Sequence, residues 1–240
     1  MAGVNFKPGS GKIHCREAVS AVQATSRPVR SKQQHLHPNL AKVVRRHLQT
    51  VHRNPVSAHS LQAYAVLTAA LAGNPRPLVL DSFCGTGRST AMLAERHPGH
   101  LVVGVDKSAA RLAKHQSAGA ENYLLLQADC GDIWTLMQGD GLVAAYHYML
   151  YPNPWPKSAH LQRRVHGHPS YASLLPLGGR HQLRSNWQLY VEEFGCAMHL
   201  AGQRGWISKL GNAGPDLSLF EQKYRLSGHV LWSFKARIMP

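Results

Sequence analysis

Short apolar segments alternate with helical ones along most of the chain, and this alternation is what most restricts the fold. Apolar runs of strand length stand at residues 77–82, 100–106, 122–129 and 141–151, and a more polar strand is predicted at 180–186. Helical patterns stand between or after them, at residues 57–73, 88–97, 108–119, 170–179 and 187–202. Strands that alternate with helices in this way predict a parallel sheet covered by helices. Two further segments, 204–210 and 229–236, read as a closing antiparallel pair. We therefore predict an α/β, doubly wound, mostly parallel seven-stranded Rossmann-like sheet with an antiparallel C-terminal strand.

A glycine-rich turn follows the first predicted strand, in the segment VLDSFCGTGRST. Asp81 precedes the turn, Gly85 and Gly87 lie in it, and a helix begins directly after it. Glycines at this place let the backbone turn sharply and approach a ligand closely. The third glycine of a dinucleotide-binding fingerprint is replaced by Thr90, and no Gly-Lys-Ser/Thr of a phosphate-binding P-loop follows. The turn thus predicts a ligand site of a different kind.

Two more carboxylates end the next predicted strands. Asp106 ends the second strand and Asp129 the third, so with Asp81 they form a row at the carboxyl edge of the sheet, where ligands of open α/β sheets bind. Any one of them can equally be a helix N-cap. Three in register after one glycine turn favour a binding site.

The D-x-x-C-G-T-G pattern resembles the first motif of class I S-adenosylmethionine-dependent methyltransferases. The resemblance implies that S-adenosyl-L-methionine is the cofactor, with Asp106 at the ribose hydroxyls and Asp129 beside the adenine. The implied cofactor-binding residues are Asp81, Gly85, Gly87, Asp106, Asp129 and Asn153.

The segment YPNPWPKSAHLQRRVHGHP follows the fourth strand and combines a stiff turn with positive charge. Prolines on both sides of Asn153 restrict the backbone. Trp155 offers a flat face, and Lys157, Arg163 and Arg164 supply cations. Aromatic stacking together with cations is how proteins hold an unpaired nucleotide. The alternative is a rigid turn whose tryptophan packs on the core.

The charge of the chain points to the same kind of partner. Lys and Arg number 27 against 12 Asp and Glu, a formal net charge of +15, which attracts polyanions such as RNA. Residues 1–55 hold ten of these cations and one acid, Glu17. We predict a basic, partly disordered N-terminal arm at 1–55 and a class I methyltransferase domain at 56–240. The helical pattern in the arm exposes Lys42, Arg45 and Arg46, either as a docked basic element or as a solvated helix face.

Other patterns indicate what is not expected. No apolar run approaches the ~20 residues that cross a bilayer. The four cysteines lack C-x-x-C spacing, and the sixteen histidines lack Cys or carboxylate partners at ligand spacing. We expect a cytoplasmic protein, monomeric, with no metal. Glu192 and Glu193, on the predicted helix at 187–202, are expected on a solvated face.

The proline turn also resembles the signature of the tRNA (guanine-N7) methyltransferase family, which reads roughly P-D-P-W-x-K-x-x-H-x-x-R-R. Later segments, RSNWQLYVEEF and SLFEQK, resemble two further motifs of that family. The resemblance implies methylation of guanine N7 in tRNA, with Asn153 and Lys157 catalytic. The residues implied to bind substrate are Trp155, Lys157, Arg163, Arg164, Asn186, Ser218 and Glu221.

Two departures from the family pattern bear on the reaction, because Asn153 and Asn186 stand where the family has Asp. Guanine N7 carries a free lone pair, so its methylation does not strictly need a general base, but a carboxylate would stabilise the cationic product. A slower reaction or another acceptor is therefore expected. One alternative is an exocyclic amine, adenine N6-like, or a small heterocycle, since enzymes with such acceptors use an Asn-Pro-Pro-aromatic turn. The other is a non-catalytic RNA-binding relative.

Overall fold

The structure, a computed structural model, describes residues 26–52, 54–117, 119–211 and 214–239. One seven-stranded sheet has the order β3-β2-β1-β4-β5-β7-β6. The strands are β1 (Leu78–Ser82), β2 (Leu101–Asp106), β3 (Tyr123–Gln127), β4 (Tyr146–Leu150), β5 (Gly179–Ser185), β6 (Gly205–Lys209) and β7 (Trp232–Ile238). Strands β1 to β5 are parallel, and β7 is antiparallel to both β5 and β6. The predicted fold class is confirmed, and the strand order reverses between β1 and β4, the place where such sheets bind ligands.

The helices cover the two faces of the sheet unequally. They are α1 (Leu40–Gln49), α2 (Ala58–Gly73), α3 (Arg88–Arg96), α4 (Ala109–Leu112), α5 (Cys130–Gly139), α6 (Tyr171–Leu174), α7 (Gln188–Leu200) and α8 (Leu219–Leu226), with 3₁₀ segments at Ser158–Arg163, Val165–Gly167 and Leu175–Leu177. One large apolar cluster joins α1, α2, α5, α6 and α7 to one face. On the opposite face a smaller cluster joins α3 and the segment around α8 to β1, β2 and β4.

Three predicted helices or strands are clearly shorter in the structure than the sequence pattern indicates. The helix predicted at 170–179 is α-helical only over Tyr171–Leu174 and continues as the 3₁₀ segment Leu175–Leu177, which contains Pro176. The helix predicted at 108–119 ends at Leu112, because His115 turns away and hydrogen bonds Thr86 O at 3.0 Å and the Tyr123 hydroxyl at 2.8 Å. The strand predicted at 141–151 begins only at Tyr146, after a turn at Gly141 with φ +64°. Each error extends a helix or strand pattern beyond the point where a local contact, a turn or a proline redirects the chain.

Helix α1 belongs to the main core. Its residues Leu40, Val43 and Val44 are buried in the large cluster, whereas Lys42 and Arg45 face solvent. The described part of the predicted arm is therefore docked, while its first 25 residues lie outside the described residues and the boundary at 55 stays a prediction. In the part of the chain that the structure describes, no helix has the length and apolar character needed to cross a membrane.

Candidate functional site

The glycine turn after β1 is held in the left-handed backbone region. Phe83, Gly85 and Gly87 have φ values of +66°, +63° and +75°. Gly87 is favoured mainly by its positive φ, and a Cβ there would in addition crowd Leu125 Cδ1 at 2.6 Å. A Cβ at Gly85 would meet nothing within 4 Å, so the backbone there borders open space. Gly85 is therefore the point of the turn that a ligand can approach.

Asp81 lies beneath this turn and is fully buried. Its Oδ2 accepts hydrogen bonds from Ser89 Oγ at 2.6 Å and Thr90 Oγ1 at 2.8 Å. Its Oδ1 has no hydrogen-bond partner among the described residues. Burial raises the pKa of Asp81 to about 6, because the Ser89 and Thr90 hydrogen bonds offset only part of the desolvation and Asp106 adds a nearby negative charge. A cation beside Oδ1 would supply the missing partner.

Asp106, at the end of β2, ties the glycine turn to the sheet. Its Oδ2 accepts the Gly85 N–H at 3.0 Å, and its Oδ1 accepts the Ser108 N–H at 2.8 Å. Arg111 Nη2 lies 3.1 Å from Oδ1. A carboxylate has about four acceptor sites, so roughly one remains for a ligand hydroxyl.

Asp129 combines the two alternatives that the sequence left open. Its side chain caps α5 by accepting the Gly131 N–H at 2.8 Å, and it also lines a cleft of about 530 Å³. The cleft begins at the ends of β2 and β3. It is lined by His52, Asn54, Pro55, Ser57, His59, Lys107, Gln127, Asp129, Gly131, Asp132 and His168.

The turn after β4 is strained at two positions. Tyr151 and Trp155 have φ values of +56° and +46°, in a region that side chains other than glycine rarely adopt. Asn153 is exposed, and its Oδ1 accepts the Trp155 N–H at 3.3 Å. The Trp155 ring is half-buried, with the Arg163 guanidinium 4.9 Å from the ring centroid and the His160 ring edge-on at 5.6 Å. The alternative that Trp155 is a core residue is not what the structure shows.

Arg164 supports this turn from beneath. Its side chain is buried, and its Nε and Nη2 donate to Trp155 O at 3.3 and 3.2 Å. Its Nη1 pairs with the buried carboxylate of Glu193, which also contacts His166 Nε2 at 3.0 Å. The predicted contact of Arg164 with substrate stays a prediction, but its observed role is to hold the turn. The expectation that Glu193 is solvated is wrong, because α7 turns that side chain toward Arg164.

The same carboxylate joins the N-terminal segment to the turn. Glu193 Oε1 accepts Gln33 Nε2 at 2.6 Å and the His37 N–H at 2.8 Å. Ser31 Oγ donates to Pro156 O at 2.6 Å. Residues 31–37 therefore brace the turn, a function that no motif in that segment signals.

The remaining predicted substrate residues form a second group, at the end of β5 and the start of α8. Ser218 Oγ caps α8 by accepting the Glu221 N–H at 3.1 Å. Glu221 is buried and accepts two hydrogen bonds from Arg184 Nη1, at 2.7 and 2.9 Å. Asn186 Nδ2 lies 3.1 Å from His229 Nδ1. Among the described residues, no hydrogen bond links this group to Asn153 or Trp155.

Gly104 is a residue of the site that sequence reasoning missed. A Cβ on it would lie 2.2 Å from Thr90 Oγ1, so a side chain at this position of β2 would force the Thr90 side chain out of its present place. This close packing is what brings Thr90 to Asp81. The only signal in the sequence is a lone glycine inside an apolar strand, which can mark a close backbone approach.

These residues fit S-adenosylmethionine, which carries a sulfonium, an ammonium group and a ribose but no pyrophosphate. The unpartnered Asp81 Oδ1 suits a cation, and the open space at Gly85 admits a ligand to the backbone. The cleft at Asp129 extends along the same edge of the sheet. Among the described residues, no group of three His, Cys, Asp or Glu side chains could hold a metal ion.

The fold and this site define a class I methyltransferase, and comparison with known proteins agrees. A model of a family described as putative methyltransferases matches residues 75–216, more than half of the chain, and the chain belongs to that family. The predicted S-adenosylmethionine-dependent methyltransferase is thereby confirmed.

The particular relatives are tRNA (guanine-N(7)-)-methyltransferases, so the family resemblance drawn from the motifs is also confirmed. The enzyme of that name from Sodalis glossinidius is 28% identical over 190 residues, covering 74% of this chain and 79% of the relative. The one from Zymomonas mobilis is 28% identical over 189 residues, covering 72% and 80%.

Solved structures agree on the fold. An antibiotic-related methyltransferase superposes with a TM-score of 0.53 at 13% identity, covering 80% of this chain and 98% of that chain. A 16S rRNA (adenine(1408)-N(1))-methyltransferase variant from Catenulisporales acidiphilia, solved with its cosubstrate SAM, superposes at 0.51 with 19% identity, covering 73% and 92%.

The raised pKa of Asp81 predicts how cofactor affinity depends on pH. In the ligand-free protein Asp81 is protonated below about pH 6, and binding an ammonium group at the carboxylate must release that proton. The Kd for S-adenosylhomocysteine should therefore rise by up to about tenfold for each pH unit below pH 6. Between pH 6 and pH 7.5 the Kd should stay constant. Calorimetry in buffers of different ionisation enthalpy measures both the Kd and the proton release. In Asp81→Asn the Kd should no longer depend on pH over this range. A wild-type Kd that is constant from pH 5 to 7.5 would contradict the prediction.

Proposed function

We propose that this protein transfers a methyl group from S-adenosylmethionine to guanine N7 in tRNA. The observation that carries the proposal is the Pro-Asn-Pro-Trp turn, which follows β4 at the same edge of the sheet as Asp81, Asp106 and Asp129. The Arg163 guanidinium lies over the Trp155 ring, so the turn combines an aromatic ring with a cation, which suits a nucleotide. The relatives named for guanine-N7 methylation of tRNA support this acceptor.

The cofactor would be held by the first three strand ends. Asp81, Asp106 and Asp129 would bind its ammonium, ribose and adenine, and the turn at Gly85 and Gly87 would let it approach the backbone. S-adenosylmethionine, when bound, supplies a methyl group activated by its attachment to a positively charged sulfur. We assign Asn153 to the boundary between cofactor and acceptor.

The acceptor base would be held by the turn after β4. Trp155 would stack on it, while Lys157 and Arg163, both exposed, would contact the phosphates. We assign Arg164 to positioning, because its guanidinium holds the Trp155 carbonyl. The second group, with Asn186, Ser218 and Glu221, would border the acceptor from β5 and α8.

The chemistry needs orientation more than proton transfer. N7 attacks through its own lone pair, so the main contribution of the protein is alignment, an effect worth up to about 7–11 kcal/mol. The methylated base is cationic, and Asn153 can offer it only a dipole. In addition, Asn153 Oδ1 already accepts the Trp155 N–H, which fixes the amide as part of the turn.

A direct assay decides the acceptor. The full chain is incubated with methyl-labelled cofactor and total tRNA, and the tRNA is treated with borohydride and aniline, which cleave at N7-methylated guanosine. We expect label incorporation together with such cleavage. Label without cleavage would reject N7 as the acceptor.

The second candidate is an exocyclic amine, adenine N6-like, or a small heterocycle, and Asn153 is the observation that favours it. The amide oxygen of Asn153 can accept a hydrogen bond from the amino group of such an acceptor. A carboxylate is not needed for this contact. Mass analysis of the labelled nucleoside separates the two acceptors. Cofactor and tRNA binding without any turnover would instead indicate a non-catalytic RNA-binding relative.

Asn153→Asp tests the reaction at one residue. If N7 is the acceptor, the new carboxylate should stabilise the cationic base and raise kcat by about tenfold, which corresponds to about 1.4 kcal/mol in the transition state. Single-turnover rates with tRNA measure the change, and Asn186→Asp serves as a comparison at the second departure from the family pattern. A total loss of methylation in Asn153→Asp would favour an amine acceptor.

We further propose that the protein acts as a monomer in the cytoplasm, where its RNA substrate is found. Light scattering after gel filtration, with and without tRNA, tests the oligomeric state.

A further inference from the structure

One part of the sheet is covered by no helix of the described chain. Because α1 and α2 pack on the same face as α5, α6 and α7, the opposite face of β4, β5, β7 and β6 is left to α3 at one side and to the α8 segment at the strand ends. A cleft of about 430 Å³ remains between them. We call this region the open sheet face and define it by Tyr146, Tyr148, Arg180, Gln182, Trp206, Lys235 and Arg237.

The strand register arranges these side chains in two rows. Trp206 is paired with Lys235, Lys235 with Gln182, and Gln182 with Tyr148, so one row crosses four strands. With about 4.8 Å between strands, it spans about 14 Å. In the second row, Arg237 is paired with Arg180, and Arg180 with Tyr146. Each row joins cations to aromatic rings.

The tryptophan and the two arginines of the open sheet face are exposed to solvent. Trp206 is 60% exposed. The Arg180 guanidinium lies 5.7 Å from the centre of the Tyr146 ring, and both Arg180 and Arg237 are exposed. No Asp or Glu lines the cleft, and none of its three cations forms an ion pair with a carboxylate of the described residues.

The charge and the rings together indicate the chemistry of the occupant. Cations on an edge strand can protect it against aggregation. A large exposed tryptophan at the same place does not serve that protection and is typical of a binding surface. A second copy of this chain, with a net charge of +15, would be repelled. Residues 1–25 carry Lys7, Lys12 and Arg16 against Glu17, so this segment is also positively charged and would be repelled by the cations of the open sheet face. Phosphates between planar bases match both features.

We propose that the open sheet face binds an unpaired stretch of RNA, with a base stacked on Trp206 and phosphates at Arg180, Lys235 and Arg237. Tyr146 and Tyr148 close the far end of the groove. The inference rests on the proposed RNA substrate and adds a second contact surface to it. This surface lies away from the turn at Asn153, since Tyr146, Arg180 and Arg237 stand at the opposite end of their strand pairs from Leu150 and Arg184.

The test measures the binding of a fluorescein-labelled oligouridine RNA, about twelve nucleotides long, to the full chain by fluorescence anisotropy without cofactor. Trp206→Ala should weaken binding by about five- to a hundredfold, the loss of one stacked base. The double variant Arg180→Ala/Arg237→Ala should lower the slope of log K against log salt by about 1.4, since each phosphate contact on a single strand contributes about 0.7. The matched control is Arg76→Ala/Lys114→Ala, which removes two exposed cations elsewhere.

The control and two further measurements can overturn the proposal. It fails if the wild-type chain does not bind the oligonucleotide, or if the control lowers the slope as much as the Arg180/Arg237 variant. It also fails if the wild type is a dimer that Trp206→Ala dissociates, because the face would then be a self-association contact. Thermal melting shows that each variant is folded.

The outcomes also separate this proposal from the proposed function. Methylation of tRNA by the wild type, with oligonucleotide binding unchanged in both variants, would overturn the open sheet face alone. Variant-dependent oligonucleotide binding without methyl transfer to any RNA would overturn the proposed function alone.

Discussion

Glu193→Gln should lower the free energy of unfolding by about 3–5 kcal/mol, the cost of leaving one member of a buried ion pair without its partner. The glutamine has nearly the shape of the glutamate, so the loss comes from the charge. Arg164 is buried and pairs with no other carboxylate of the described residues. Urea unfolding followed by circular dichroism measures the change, since the midpoint should fall while the slope stays constant.

The neighbouring residue provides the control. Glu192 lies one position earlier on α7, and within the described parts of the chain its carboxylate accepts a hydrogen bond from Gln188 Nε2 alone, at 2.7 Å. Glu192→Gln removes the same charge at the surface and should change the stability by less than about 0.5 kcal/mol. Equal losses in the two variants would show that the network around Arg164 does not stabilise the fold.

The same network sets part of the acid stability. Burial alone would raise the pKa of Glu193, but the hydrogen bond from His166 and the charges of His166 and Arg164 outweigh it and lower that pKa to about 2. A carboxyl group whose pKa is lower in the folded state stabilises the fold above its unfolded pKa, near 4.5, and this contribution is lost as the pH falls toward 2. The urea midpoint of the wild type should fall over that range, and that of Glu193→Gln should fall less.

Asp106→Asn should weaken the binding of S-adenosylhomocysteine by about a hundredfold. One oxygen of the carboxylate accepts the Gly85 N–H and the other accepts the Ser108 N–H. An asparagine has one acceptor oxygen, so its amide N–H must face one of these two donors. A hydrogen bond to a charged group contributes about 1.5–3 kcal/mol, and the variant loses one such bond as well as the acceptor that we propose for the ribose. Calorimetry at neutral pH measures the Kd.

Arg111→Ala is the matched variant for this prediction. It removes the third contact of Asp106 but leaves both backbone donors in place. The Arg111 side chain is 46% exposed, and an ion pair of that kind contributes about 0–1 kcal/mol, so the Kd should change by less than about fivefold. If Arg111→Ala weakens binding as much as Asp106→Asn, the exposed ion pair and not the backbone contacts holds the turn.

The cofactor edge of the sheet could be predicted because its residues follow directly from strand ends. In a parallel sheet, the ends of β1, β2 and β3 lie at one edge whatever the loops do, so Asp81, Asp106 and Asp129 share that edge. The detailed partners of these acids could not be predicted in the same way. Asp81 bonds to Thr90 because Gly104, on a different strand, lets α3 approach.

The turn after β4 likewise has some features that the sequence predicts and others that it does not. Its stiffness is visible in the prolines around Asn153, and the exposed Arg163 beside Trp155 agrees with the pattern of rings and cations. The neighbouring Arg164 has the same side chain but the opposite environment. Nothing in the run of cations distinguishes the two, because the difference comes from Glu193, a residue on α7.

The sequence alone determined the sheet, the row of carboxylates and the family, because all three depend on local periodicity and on residues close together in the chain. The tertiary structure alone decided that Arg164 points inward, that residues 31–37 brace the turn and that four strands keep an open face. Each of these depends on how distant segments pack together. The side chain of an arginine or a glutamate carries no local signal of which distant partner will bury it.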